Sequence, residues 1–170
     1  MMSRVLFLDY DGVVNISMWN DKGTKRSFGY PEDGKVNHFQ AVQWVSEFCE
    51  RCHYDIVVTS TWRKYPNYKE CLIGGGLRQG IEVLGKTEDL SHLKKKRGDE
   101  VKLYLDTHPE IKYYIIVDDI DEVLPEQKEH FVKTEMEYGF CEREMNLCVD
   151  IYMRDKGHGG SFWKSESEIS

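Results

Sequence analysis

The stretch Phe7-Leu8-Asp9-Tyr10-Asp11-Gly12-Val13-Val14 closes an apolar run, Arg4 to Leu8, with two carboxylates two residues apart and then a glycine. Acidic side chains are depleted in strands and costly to bury without a partner. A pair of surface turn acids would need no apolar strand in front of it. A strand that delivers Asp9 and Asp11 together calls for a compensating group at its end, and a metal ion is one candidate. Gly12 lets the chain turn tightly just beyond them.

Outward from this stretch, short apolar runs alternate with segments of helical period. The strands read as Arg4–Leu8, Asp55–Val58, Ile81–Leu84, Tyr113–Val117 and Phe131–Val132. Val5 to Leu8 and Tyr113 to Val117 are continuously apolar, as strands covered on both faces should be. Asn37 reads as the N-cap of a helix whose stripe is Phe39, Val42, Val45, Phe48, Cys49 and Cys52. A second helix spans Gly98 to Asp106, with Asp99 and Glu100 in its first turn and Pro109 beyond it. A third carries Met145, Cys148, Val149 and Tyr152, and a weaker one around Tyr68–Leu77 is interrupted by Gly74-Gly75-Gly76. The pattern predicts an α/β protein: a three-layer, doubly wound, mostly parallel sheet of Rossmann-like type. One domain is expected over 1–156. Its 12–31 segment reads as a small flap or hairpin too short to be a cap domain, and 157–170 as a polar, loose tail.

At 170 residues the chain is long enough for a self-sufficient core. A net charge of −7 excludes a broad nucleic-acid-coating surface but leaves room for a local basic patch. No apolar run approaches a membrane span and no leader pattern precedes Val5, so the expected location is cytoplasmic, with no membrane partner. The five cysteines do not suggest a disulfide framework. Cys49-Glu50-Arg51-Cys52-His53 matches the C-x-x-C-H haem spacing literally, but both cysteines fall on the apolar stripe of a helix, where free cysteine acts as a small hydrophobe. Cys141 and Cys148 do not supply the second pair that zinc would need.

Ligands of doubly wound sheets bind beyond the carboxyl ends of the strands. Here those ends carry Asp9 and Asp11, then Thr59-Ser60-Thr61-Trp62-Arg63, then Asp118-Asp119. Lys94-Lys95-Lys96-Arg97-Gly98 leads into a helix. Four clustered carboxylates repel one another unless a cation joins them. An all-oxygen donor set with room for water and phosphate favours Mg²⁺. The hydroxyls, a cation from the basic run and the helix N-terminus behind it suit the remaining oxygens of a phosphate.

The segments "FLDYDGVV", "IVVTSTWR" and "YYIIVDDIDE" resemble the first, second and fourth motifs of the haloacid-dehalogenase-like (HAD) phosphohydrolases. Trp62-Arg63, Arg97-Gly98-Asp99-Glu100 and the run from Pro125 to Thr134 narrow the resemblance to the HAD domain of "Swiss army knife" RNA-repair proteins and related small proteins. It covers roughly residues 4 to 153.

The resemblance implies an HAD-like fold without a cap and a phosphatase that forms an aspartyl-phosphate. Asp9 would be the nucleophile. Asp11 would be the acid and base, binding metal through its backbone carbonyl. Asp119 would be a further Mg²⁺ ligand, with Asp118 orienting it or a bound water. Thr59 and the Ser60 N–H would hold the phosphate with Arg97, in a register that leaves Lys96 as the alternative. Gly12 would give the phosphate room, and Arg63 and Trp62 would either touch substrate or brace the loop. The expected partner is a phosphorylated substrate. An open site favours a nucleic-acid end, and a small phosphomonoester framed by Trp19, Phe28 and Trp62 is the alternative. A receiver-like module places its acid pair and its phosphorylated aspartate on different strands, unlike this D-x-D. A silent phosphate-binding scaffold would not need the full acid set. Oligomeric state is not legible.

Overall fold

A computed structural model describes residues 3–16 and 37–157. Trp19, Phe28, most of the 12–31 flap and nearly all of the expected tail lie outside the described residues.

Five strands form one sheet: β1 (Ser3–Leu8), β2 (Asp55–Val58), β3 (Val83–Lys86), β4 (Ile111–Asp118) and β5 (Phe131–Lys133), in the order β3-β2-β1-β4-β5. Every ladder is parallel. The connections carry α1 (Phe39–Cys52), α2 (Tyr68–Gly74) and α3 (Arg97–Thr107), and α4 (Glu142–Asp155) follows β5. This is a doubly wound, Rossmann-like layout, with no separate cap among the described residues.

Side chains alternate across the sheet, and each face has its own core. Leu6, Leu8, Ile56, Val58, Ile115 and Val117 pack with α1 and α4 through Val42, Val45, Phe48, Met145, Cys148 and Val149. Val5, Phe7, Val57 and Ile116 pack on the other face with Val101 and Val123, with Tyr104 against them. The runs are continuously apolar because both faces are covered. Cys49 and Cys52 are buried thiols of the α1 stripe, and all the cysteines are free.

Several element ends shift by one to three residues from the sequence reading, and three differences matter. The N-cap of α1 is His38, not Asn37. Asn37 is buried, donates its amide N–H to the Asn15 side chain and its backbone N–H to Cys71, and so braces the loop after β1. Phe39, expected on the apolar stripe, is exposed, and the buried stripe of α1 begins at Ala41 and Val42. Strand β3 lies two residues later than expected, at Val83–Lys86, with a register shift between Ile56 and Val57 of its neighbour. It pairs on one side only, and its half-exposed residues give a weaker pattern than the central strands.

Gly98 fixes how α3 enters the fold. Its N–H donates to Glu122 O at 3.0 Å, and its carbonyl accepts from the buried Gln127 side chain at 2.9 Å. A Cβ there would meet Leu124 N at 2.6 Å and Gln127 Oε1 at 2.7 Å. Overpacking of this kind costs about 1–3 kcal/mol, so Gly98→Ala should lower the free energy of urea unfolding by that amount. Gly85→Ala, with nothing within 4 Å of the added Cβ, should shift it by less than about 0.5 kcal/mol. Equal stability of the two variants contradicts the packing role of Gly98.

Candidate active site

The sheet reverses its order of winding between β1 and β4, and the site lies at their carboxyl ends, where such folds open a crevice. The ladder continues one residue past the strands. Asp9 N–H donates to Val117 O, Thr59 N–H to Leu8 O, Thr87 N–H to Val58 O and Thr134 N–H to Asp118 O, at 3.0–3.1 Å. These bonds set Asp9, Thr59, Thr87 and Asp118 in a row across the sheet end. All four are buried.

Asp9, Asp118 and Asp119 bring carboxylate oxygens within 4.8 Å of one another. Burial, the mutual charges and, for Asp119, the Asp118 hydrogen bond outweigh the opposing pull of Arg97 on Asp9 and Asp118. Asp9 and Asp119 are pushed up to about 6 and Asp118 to about 7. A hard divalent cation suits such an oxygen cluster, because it offsets both the burial and the repulsion that raise these values. Asp118 is already engaged: Oδ1 accepts from Ile120 N–H at 3.0 Å, and Oδ2 lies 3.3 Å from Arg97 Nε.

The carboxylate of Asp11 stands apart from that triad and has partners of its own. Oδ1 accepts from Asn15 Nδ2 at 3.1 Å, and Oδ2 from Trp62 Nε1 at 3.2 Å. Burial raises its pKa while these two hydrogen bonds oppose the rise. The backbone around it is a tight loop in which the N–H groups of Val13, Val14 and Asn15 all donate to Tyr10 O. Gly12 has φ +80°, and a Cβ there would meet Asp119 Oδ2 at 2.4 Å. The glycine therefore makes room for the Asp119 side chain. Its carbonyl accepts from the buried Thr134 hydroxyl at 2.7 Å.

Arg97, the first residue of α3, faces the acids: Nη2 is 3.9 Å from Asp9 and Nε 3.3 Å from Asp118. Burial would lower its pKa, but Asp9, Asp118 and Glu100 more than offset that. Lys96, the N-cap, is exposed, as are Lys94 and Lys95. The Thr59 hydroxyl is fully buried and has no hydrogen-bond partner among the described residues. Such an atom is costly unless a ligand or water completes it.

Arg63 departs from the expected phosphate-contact set. Its side chain is buried, donates to the carbonyls of Thr59 and Ser60, and pairs with Glu100 at 2.9 Å. It braces the turn from beneath. Trp62, also buried, reaches Asp11. The Ser60 hydroxyl caps the short 3-10 turn Thr61–Lys64, accepting from Trp62 N–H at 3.2 Å.

A family model described as the HAD domain in Swiss Army Knife RNA repair proteins matches residues 5–145. The chain belongs to that family. Comparison with curated proteins and with solved structures gives no significant match.

In this HAD domain several site neighbours escaped the sequence reading. Asn15 and Asn37 form a buried amide chain to Asp11, Thr134 ties β5 to Gly12, and Glu100 joins two arginines. No local pattern marks them, because their partners lie up to 122 residues away. The apolar run before Asn15 and the polar type of Glu100 on a buried helix face were the available signals.

The raised acids predict a pH effect. Each holds its proton more tightly when folded than when unfolded. Between the ordinary carboxylate range near 3.8 and about 7, folding therefore takes up protons. Stability accordingly falls as pH rises, by about 1.4 kcal/mol per proton and pH unit. Thermal unfolding in EDTA should give a lower Tm at pH 7.5 than at pH 5.5. A Tm that rises over this interval contradicts the clustering.

Proposed function

We propose that this chain is a Mg²⁺-dependent phosphomonoesterase that acts through an aspartyl-phosphate on Asp9, with the terminal phosphate of a nucleic acid as substrate. HAD membership supports phosphatase-type chemistry. The observation that carries the residue assignment is the juxtaposition at adjacent strand ends of a buried Asp9, a guanidinium beside it and a Thr59 hydroxyl with no partner among the described residues.

The donor set fits a magnesium ion: three carboxylates with oxygens in mutual reach and pKa values raised by burial and, after it, by their mutual charges. Asp9 and Asp119 would hold it with the Asp11 backbone carbonyl. Asp118, committed to Arg97 and the Ile120 N–H, orients its neighbour. When bound, the ion supplies neutralisation of the charge shared by substrate and acids.

The chain's own groups do the rest. Thr59 and the Ser60 N–H bind the phosphate oxygens, and Arg97 balances their charge. An Asp9 oxygen attacks phosphorus as the bond to the leaving oxygen breaks. Asp11, held by Asn15 and Trp62, gives that oxygen its proton. Asp11 then takes a proton from the water that attacks the phosphoryl group, which releases phosphate and restores Asp9.

The family's description names RNA repair, and the described residues hold no cap that would enclose a small substrate. Lys94, Lys95 and Lys96 stand exposed before Arg97, and Lys64 is exposed on the turn after β2. With a net charge of −7 the rest of the surface repels a polyanion. Recognition is therefore confined to the end of the polymer.

The test is phosphate release with Mg²⁺ from 3′- and 5′-phosphorylated oligonucleotides, free nucleotides and sugar phosphates. Oligonucleotide ends should be preferred, and a preference for sugar phosphates overturns the substrate reading. Asp9→Asn should lower kcat by more than about 10³-fold. Its Tm at pH 7.5 should be equal or higher, because one of the repelling acids is gone. Undiminished turnover in that variant overturns the nucleophile.

A further inference from the structure

Glu100 lies one turn after Arg97 on α3 and is 4% exposed. Its Oε1 accepts from Arg63 Nη2 at 2.9 Å and from Leu90 N–H at 3.0 Å, and its Oε2 faces Arg97 Nη1 at 3.5 Å. A single carboxylate thus joins two arginines from different elements. Arg63 holds the carbonyls of Thr59 and Ser60. Arg97 turns its remaining nitrogens to Asp118 and Asp9.

A buried ion pair is weak evidence for stability, since well-packed apolar residues often hold a fold as well. It does fix direction, because a planar guanidinium held at two or more of its nitrogens cannot swing freely. Arg97 has an alternative. A cavity of about 130 Å³ beside it is lined by Thr61, Asp89, Ser91, Lys95 and Glu122, as well as by the two arginines and Glu100. Asp89 there is already paired with Lys64 at 3.0 Å, so without Glu100 it is chiefly the Glu122 carboxylate that would compete with Asp9 and Asp118 for Arg97.

We propose that Glu100 is a positioning residue of the phosphate site: anchored by Arg63, it holds the Arg97 guanidinium toward the strand ends, where that guanidinium receives a tetrahedral oxyanion. The inference rests on the phosphatase reading in taking Arg97 as a phosphate ligand, and it adds a residue whose part is played through another.

Inorganic phosphate in the presence of Mg²⁺ is the probe, its affinity followed by ³¹P NMR so that weak binding stays measurable. Glu100→Gln should weaken phosphate on the order of tenfold, the factor expected of one lost charged hydrogen bond. In an Arg97→Met background the same change should have no further effect, because the clamp then has nothing to orient. A purely structural role gives the same loss in both backgrounds, and that result overturns the proposal, as does unchanged phosphate affinity in Glu100→Gln. Should Glu100→Gln fail to fold, Glu100→Asp keeps the charge but shortens the reach. It should show a partial loss that again vanishes with Arg97→Met, and a loss that persists overturns the clamp. Phosphate that does not bind the wild-type chain also overturns it. Coupled phosphate binding without Asp9-dependent turnover would leave the clamp standing and remove the phosphatase reading.

Discussion

The fold brings Asp9, Asp118 and Asp119 together where the strands end, and their mutual repulsion is the constraint that the surrounding structure answers. Protein groups answer it in part. Arg97 lies against two of the acids, and backbone N–H groups reach Asp9 and Asp118. Burial first, and then the mutual charges, still leave all three pKa values raised. A site held in this state gains from a cation and then from an anion's oxygens, which is the order of charges that phosphoryl transfer needs.

The scaffold makes this arrangement rigid. Parallel ladders on both sides of β1 bring Asp9 and Asp118 to the same level, and Thr59 follows from the pairing with β2. Gly12 is left-handed so that the Asp119 carboxylate can approach, and Thr134 hooks the same loop to the fifth strand. Beneath the row, Arg63 and Glu100 tie the second loop to the start of α3. Asp9, Asp11, Asp118 and Arg97 are each held by a hydrogen bond or ion pair to another element, as preorganised electrostatics requires.

The sequence carried the central strands, the helix stripes and the set of polar residues at the strand ends. Those features are local, a run of apolar residues or a carboxylate after a strand. What it did not carry depends on partners far along the chain. Asn37 looked like a helix cap because its type fits one, but a buried contact with Asn15 claims it. Arg63 could be read as a substrate contact or as a loop brace, and Glu100, 37 residues on, turns it inward as the brace. Strand β3 was misplaced because an edge strand with alternating exposure gives little apolar signal.

The most direct measurement follows where the phosphoryl group goes. In Asp11→Asn, p-nitrophenyl phosphate still offers a leaving group that needs no proton, whereas the water step loses its base, so phosphorylated enzyme should accumulate. Acid quench, borohydride reduction and peptide mass spectrometry should then find homoserine at position 9. Release of nitrophenol with Asp9 unmodified, or with the label on another residue, would contradict the account.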